Sequence, residues 1–299
     1  MDFQTYQDQA LLTDQNPAPA GRRDAGPEMM IPLLGLAGEA GELLSEYKKF
    51  LRDGDAYKVF PERIAEELGD LLWYVANVAS KFGLDLDEVA KRNLEKCRDR
   101  WGARLERPLA VGHGSPFDVG YPPDERIPAT MEVEISPVGQ GIVTMTINGK
   151  KTGDDLTDNS YEDDGYRFHD VFHLACAAVL GWSPVLRKLL KKKRKSNPEV
   201  DKVQDGGRAA AIEEGISALV WSYAHERSDL DGVGVSYEVL RTIRSMTTHL
   251  EVSRCSLGEW ELAIQLCFKV WREIRKRDGG RFVVDLNART IEVAPKPGG

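Results

Sequence analysis

Acidic residues recur at helical spacing in two neighbouring segments, and their type and spacing suit metal chemistry. The first segment carries Glu39, Glu42 and Glu46, and the second carries Glu66, Glu67 and Asp70. Residues three or four positions apart share one helix face, so these carboxylates repel one another unless a cation lies between them. Hard divalent ions such as Mg²⁺ take carboxylate oxygens and keep coordination positions open for phosphate. The spacing alone also fits ordinary solvated helix faces.

Four predicted helices must position these carboxylates. Apolar periodicity and capping signals place the helices at residues 2–15, 27–52, 61–82 and 85–101. The two acidic segments lie on the second and third helices. Because the connections are short, we expect residues 1–105 to form a four-helix domain, either an antiparallel bundle or an assembly of helical hairpins.

The combined motif resembles a known family. Glu39-x-x-Glu42 is followed on the next helix by Glu67-x-x-Asp70, and the fourth helix adds Asn93-x-x-Lys96 and then Arg100. This pattern is similar to that of the MazG-like family of all-α nucleotide pyrophosphohydrolases. One departure is visible, because many members carry a further Glu at the position of Gly38.

The resemblance implies hydrolysis of a nucleoside triphosphate between its α and β phosphates, which yields a monophosphate and pyrophosphate. In that interpretation Mg²⁺, or Mn²⁺ in its place, is held by four carboxylates: Glu39, Glu42, Glu67 and Asp70. Glu66 or Glu46 accepts the proton of the attacking water. The residues expected to contact substrate are Lys48, Asn93, Lys96 and Arg100. The family also implies a homodimer or homotetramer.

A second interpretation belongs to another functional class. The helical domain would bind nucleotide without turning it over, as a nucleotide sensor or a nucleic-acid-associated defence protein would. Nucleic-acid contact is not favoured but has one candidate, the basic run at residues 187–195, which contains Lys191 to Lys195. The run has no aromatic residue for base stacking, so a solvated loop is the preferred interpretation.

The rest of the chain differs from the first 105 residues in composition and in its hydrophobic pattern. Residues 106–165 are rich in Pro and Gly, and two alternating stretches within them predict a connector with a β-hairpin. Residues 166–299 read as a helical domain of unknown role that ends in a second hairpin. The two hairpins could pair into one sheet. This part is similar to the C-terminal extension of some MazG-like proteins, and the whole chain is therefore predicted to be mainly α.

A second constellation lies in this C-terminal part. His169 and His173 are four positions apart on one helix face, and Glu214 lies on another apolar helix. Two imidazoles and a carboxylate on facing helices would suit zinc, iron or manganese. The alternative is that the histidines hydrogen-bond within a core to Asp170, Glu213 or Glu214.

Composition limits the remaining classes. The 299 residues carry a formal net charge of −8, which argues weakly against a general nucleic-acid binder. The four cysteines form no Cys-x-x-Cys pair, so neither a zinc knuckle nor a disulfide scaffold is indicated. No apolar run reaches the roughly 20 residues of a membrane span, and the N-terminus lacks the pattern of a secretory signal. We expect a reduced, cytoplasmic protein.

Overall fold

A computed structural model describes residues 1–15, 27–101 and 114–294 of the chain. The chain divides into two compact units, Met1–Cys97 and Arg98–Gly299. The predicted boundary between residues 105 and 106 lies outside the described residues. Helices dominate both units and the described strands all lie in the second, which confirms the mainly α class. Within the described ranges, no helix combines the length and apolar character needed to cross a membrane.

The helices that begin in the first unit follow the prediction closely. They are α1 (Phe3–Leu11), α2 (Pro27–Asp53), α3 (Phe60–Lys81) and α4 (Leu86–Trp101). The Asp2 carboxylate accepts the backbone N–H of Thr5 at 2.7 Å and begins α1. The Asp85 carboxylate does the same for α4 by accepting from Asp87 at 2.8 Å. Short polar side chains at these caps satisfy N–H groups that have no partner inside the helix.

The pairing of α2 with α3 positions the acidic segments. A short turn joins the two helices, which pack together more extensively than any other helix pair of the first unit. Gly35 lies where a Cβ atom would come within 2.2 Å of the Tyr74 ring, so the absence of a side chain permits the close approach. The buried apolar cluster of this unit is small and consists of Ala10, Ala76, Ala79 and Leu86.

Both predicted hairpins are present in the second unit, and they pair into one sheet. Its strands are β1 (Thr130–Gly139), β2 (Ile142–Ile147), β3 (Lys150–Lys151), β4 (Gly280–Asp285) and β5 (Thr290–Val293). The order β3-β2-β1-β4-β5 is antiparallel throughout. Alternate residues of the strands are buried, as a sheet with one covered face requires. The segment predicted as a connector thus supplies part of the sheet of the second unit.

The second unit also contains α-helices, two of which pack on this sheet. The helices are α5 (Asp170–Leu180), α6 (Pro184–Leu190), α7 (Pro198–Val203), α8 (Gly207–His225), α9 (Tyr237–Thr247) and α10 (Leu257–Arg277). All 11 residues of α5 are buried, and both α5 and α10 pack on the sheet. A helix that is apolar on all sides belongs at the centre of a domain, so α5 is the central element of this unit.

Candidate functional site

Three of the predicted metal ligands converge in the first unit. Glu39 projects from α2, while Glu67 and Asp70 lie one turn apart on α3. One carboxylate oxygen from each lies within 4.8 Å of the others. We call these three residues the carboxylate cluster. Glu42, the fourth predicted ligand, is exposed and lies outside this group.

Burial and neighbouring negative charges disfavour the ionised form of Glu67 in this cluster. Burial raises the pKa of Glu67, and the negative charges of Glu39 and Glu42 raise it further. A cation placed among these carboxylates would relieve the repulsion that contributes to this shift of the pKa. The cluster therefore has the donor type and the unbalanced charge that a hard divalent cation fits.

The two candidate proton acceptors are both held by neighbouring groups. The buried Glu46 carboxylate accepts hydrogen bonds from the Lys49 ammonium and the Tyr57 hydroxyl. These bonds lower the pKa of Glu46 and make it a weaker base. Glu66 is more exposed, and its carboxylate receives the Arg63 guanidinium at 2.7 Å. An exposed pair of this kind contributes little and exchanges readily with solvent.

The predicted substrate contacts divide between the two units. Lys48, Asn93 and Lys96 are exposed in the first unit, where the Asn93 side-chain oxygen accepts from the Cys97 thiol at 3.7 Å. Arg100 belongs to the second unit and donates to the Val235 carbonyl at 3.0 Å. Its role in substrate binding, like that of the other three residues, stays a prediction.

The predicted histidine constellation is assembled in the second unit. His169 immediately precedes α5, His173 lies in its first turn and Glu214 lies on α8. One donor atom from each residue lies within 4.8 Å of the others, and we call the three residues the His/Glu cluster. The His173 Nε2 atom lies 3.5 Å from a Glu214 oxygen.

Both imidazoles are fixed at their other nitrogen. His173 Nδ1 lies 2.8 Å from Glu213 Oε1, and Glu213 is completely buried. His169 Nδ1 lies 2.9 Å from the Tyr166 carbonyl, and the His169 ring stacks on the Tyr166 ring at 4.4 Å between centroids. Burial alone would lower the pKa of His173, but Glu213 and Glu214 together raise it to about 10. The predicted core hydrogen bond between His173 and Glu213 is therefore present, and so is the approach of His169, His173 and Glu214 within 4.8 Å.

The basic run does not form a fully solvated segment, and that prediction is wrong for its two arginines. Arg187 and Arg194 are each 1% exposed. Arg187 pairs with Asp118, and Arg194 pairs with Asp205 and Glu251, each at 2.6 Å. These charges are neutralised inside the protein.

Sequence reasoning missed several partners of the site residues. Lys49 and Arg63 each lie three positions from the carboxylate they pair with, a spacing at which helical neighbours touch, so a signal was present. Tyr57 lies beyond the end of α2, and its contact with Glu46 had no signal in the sequence.

The geometry of the first unit defines a class: an all-α domain in which two packed helices present a carboxylate cluster suited to a divalent cation. The chain belongs to the MazG family of nucleotide pyrophosphohydrolases. The family model of the MazG nucleotide pyrophosphohydrolase domain matches residues 27–104, and that of the MazG C-terminal domain matches residues 112–297.

One curated relative is similar to part of the chain. The chain is similar to the Gene 37 protein of Mycobacterium phage L5, with 40% identity over 83 residues, which are 27% of this chain and 73% of that protein. No solved structure matches the chain.

Proposed function

We propose that the protein is a Mg²⁺-dependent nucleoside triphosphate pyrophosphohydrolase that cleaves the α–β phosphate bond to give a monophosphate and pyrophosphate. The observation that carries this proposal is the carboxylate cluster, which lies inside the MazG nucleotide pyrophosphohydrolase domain. Its all-oxygen donor set is the one that Mg²⁺ prefers, and Mn²⁺ has similar preferences.

In this proposal the acidic residues of α2 and α3 have different roles. Glu39, Glu67 and Asp70 hold the cation, and Glu42 is close enough to Glu67 to raise its pKa and to join them. The bound cation supplies a Lewis acid that neutralises phosphate charge. Glu66 accepts the proton of the attacking water, because its surface ion pair with Arg63 is easily exchanged. Glu46 has the lower pKa and two donors, so we assign it to holding the end of α2 against Tyr57.

We also propose that the first unit assembles with a second copy of the chain, as a homodimer or homotetramer. The buried cluster of this unit contains four residues, whereas large apolar side chains of α2 are exposed. They include Ile31, Leu34, Leu44 and Leu51, which are 47–68% exposed. A helix that exposes several large apolar side chains is typical of a surface that another protein covers. Sedimentation of the full chain tests this, and a monomer at all concentrations would contradict it.

A panel of nucleoside triphosphates tests the reaction. The full chain is incubated with Mg²⁺ and each nucleotide, and the products are identified by chromatography. We expect pyrophosphate and a monophosphate, with turnover lost in Glu67→Gln and lowered about 10²–10⁴-fold in Glu66→Gln. Glu62→Gln is the matched control, since Glu62 is an exposed carboxylate in the first turn of the same helix. Release of orthophosphate alone, or full activity in Glu67→Gln, would contradict the proposal.

Nucleotide binding without turnover is the second candidate, in a sensor or a nucleic-acid-associated defence protein. The observation that favours it is that Glu46 and Glu66 are both neutralised by neighbouring cations. Tight binding of a nucleotide by calorimetry, together with no product after prolonged incubation, would select this candidate over hydrolysis.

A further inference from the structure

The His/Glu cluster lies in the second unit, and nothing in the proposed pyrophosphohydrolase reaction uses it. We propose that His169, His173 and Glu214 bind a first-row divalent metal ion, with Zn²⁺ as the ion to test first. Ligands would be one imidazole nitrogen from each histidine and one carboxylate oxygen. The inference is independent of the proposed function of the first unit.

The donor atoms are spaced as a metal site requires. In a tetrahedral zinc site with bonds near 2.0–2.1 Å, neighbouring ligand atoms are about 3.3 Å apart. The His173 Nε2 and Glu214 Oε2 atoms are 3.5 Å apart, and all three donors lie within 4.8 Å. A spread of up to 4.8 Å is wider than this ideal, so ligation requires the half-exposed Glu214 side chain to move toward the two rings.

A buried nitrogen that lacks a well-formed hydrogen bond points to the same position. His173 is 1% exposed, and its Nε2 atom makes no hydrogen bond within the described part of the chain. The nearest carboxylate oxygen, on Glu214, lies beyond the 2.7–3.2 Å range of a good hydrogen bond. Buried polar atoms are almost always satisfied, and a metal ion between His173 and Glu214 would satisfy this one.

Hydrogen bonds already hold both rings in the orientation that ligands need. The Glu213 carboxylate accepts from His173 Nδ1 and is itself fixed by the Ser183 hydroxyl at 2.7 Å and the Val185 N–H at 2.9 Å. The Tyr166 carbonyl accepts from His169 Nδ1. Each imidazole is thereby left with Nε2 as its remaining ligand atom, and on His173 the metal ion would take the place of the proton that faces Glu214. A carboxylate or carbonyl behind a ligating histidine is the usual support of a metal site.

The donor set and its surroundings indicate the kind of ion. Imidazole nitrogens suit Zn²⁺, Fe²⁺ and related ions better than Mg²⁺, which prefers oxygen. Three protein ligands leave one position of a tetrahedral ion open, as in catalytic rather than structural zinc sites. Asp170 and Glu213 add buried or partly buried negative charge beside the histidines, and the Glu214 side chain is 46% exposed, so an ion can enter from solvent.

Metal analysis of the full chain tests the site. The protein is stripped with chelator and dialysed against Zn²⁺ in excess Mg²⁺, which competes with zinc for carboxylate sites elsewhere in the chain. Bound zinc is then measured by mass spectrometry. We expect His169→Gln with Glu214→Gln to contain one equivalent less zinc than the wild type, since the first unit is unchanged in both. His225→Gln with Glu226→Gln is the matched control, because both residues are exposed near the end of α8.

A second measurement guards against misfolding of the double variant. Glu214→Gln alone removes a half-exposed carboxylate, and circular dichroism checks that it folds. We expect its affinity for Zn²⁺, followed by competition with a chromophoric chelator, to fall at least about 10-fold. Equal zinc content and equal affinity in the wild type and the folded variants would overturn the proposal and leave His173 as a core residue paired with Glu213. Iron or manganese in the freshly purified protein, lost in the same variants, would identify another ion at this site.

Discussion

Replacing Arg194 by Met should destabilise the second unit strongly, although this residue lies in the most basic stretch of the chain. The Arg194 guanidinium donates to both Asp205 oxygens, at 3.1 and 2.6 Å, and to both Glu251 oxygens, at 3.0 and 2.6 Å. Burial opposes the charge of Arg194, but hydrogen bonds and charge from these carboxylates raise its pKa. The variant would leave two carboxylates without their main cation.

The size of the effect follows from what remains beside Asp205. Removing one partner of a buried ion pair costs about 3–5 kcal/mol because a buried charge is left uncompensated. Asp205 would keep the backbone N–H of position 194, at 2.7 Å, and the Arg187 guanidinium at 3.6 Å. We therefore expect the lower end of the range, about 3 kcal/mol, which lowers Tm by roughly 6–12 °C for a unit of this size.

Urea unfolding followed by tryptophan fluorescence measures this, since Trp182, Trp260 and Trp271 are all buried in the second unit. The matched control is Lys195→Met, which removes an exposed charge from the next position and should change the free energy of unfolding by less than about 0.5 kcal/mol. The reasoning fails if Arg194→Met costs less than 1 kcal/mol, or if both variants lose stability equally.

Two further predictions concern the first unit. Because the pKa of Glu67 is raised in the folded state, its ionisation opposes folding; without metal, stability should rise as pH falls through that pKa. Mg²⁺ should therefore raise Tm at neutral pH but not in acid. Glu67→Gln should abolish the increase in Tm at neutral pH. An equal effect of Mg²⁺ on Tm at both pH values would contradict this prediction. Gly35→Ala should destabilise the α2–α3 pair, because overpacking against the Tyr74 ring costs about 1–3 kcal/mol and offsets the gain of about 1 kcal/mol that alanine brings to a helix. A Cβ atom at Gly41 would meet open space, so Gly41→Ala should increase the free energy of unfolding by at most about 1 kcal/mol. Thermal unfolding that ranks the two variants in the opposite order would refute this.

Local patterns predicted much of the fold because they are set by near neighbours. Apolar spacing and caps gave α2, α3 and α4 to within a few residues, while α1 ends at Leu11 rather than near residue 15. The convergence of Glu39 with Glu67 followed from two adjacent helices joined by a short turn. The short helix α7 was missed, since its six residues are too few for a periodic pattern.

Long-range pairing could not be predicted in the same way. The basic run was expected to be a solvated loop because it has no aromatic residue for base stacking. Its arginines find partners far away in the sequence: Asp118 for Arg187, and Glu251 for Arg194. Only the tertiary structure brings such groups together. The same holds for Glu213, whose support of His173 depends on the packing of α8 against the elements that carry Ser183 and Val185.

The central position of β1 has a consequence for how the chain is made. One edge of β1 pairs with the adjacent β2, but the other pairs with β4, about 150 residues later in the sequence. At ordinary rates of translation the ribosome needs roughly 8–30 s to synthesise that interval. During this time the N–H and C=O groups of one edge of β1 have no strand partner. The apolar residues Met131, Val133 and Ile135 of β1, which are buried in the folded protein, are not yet covered by the later helices. The newly made chain is therefore most open to wrong association along this strand.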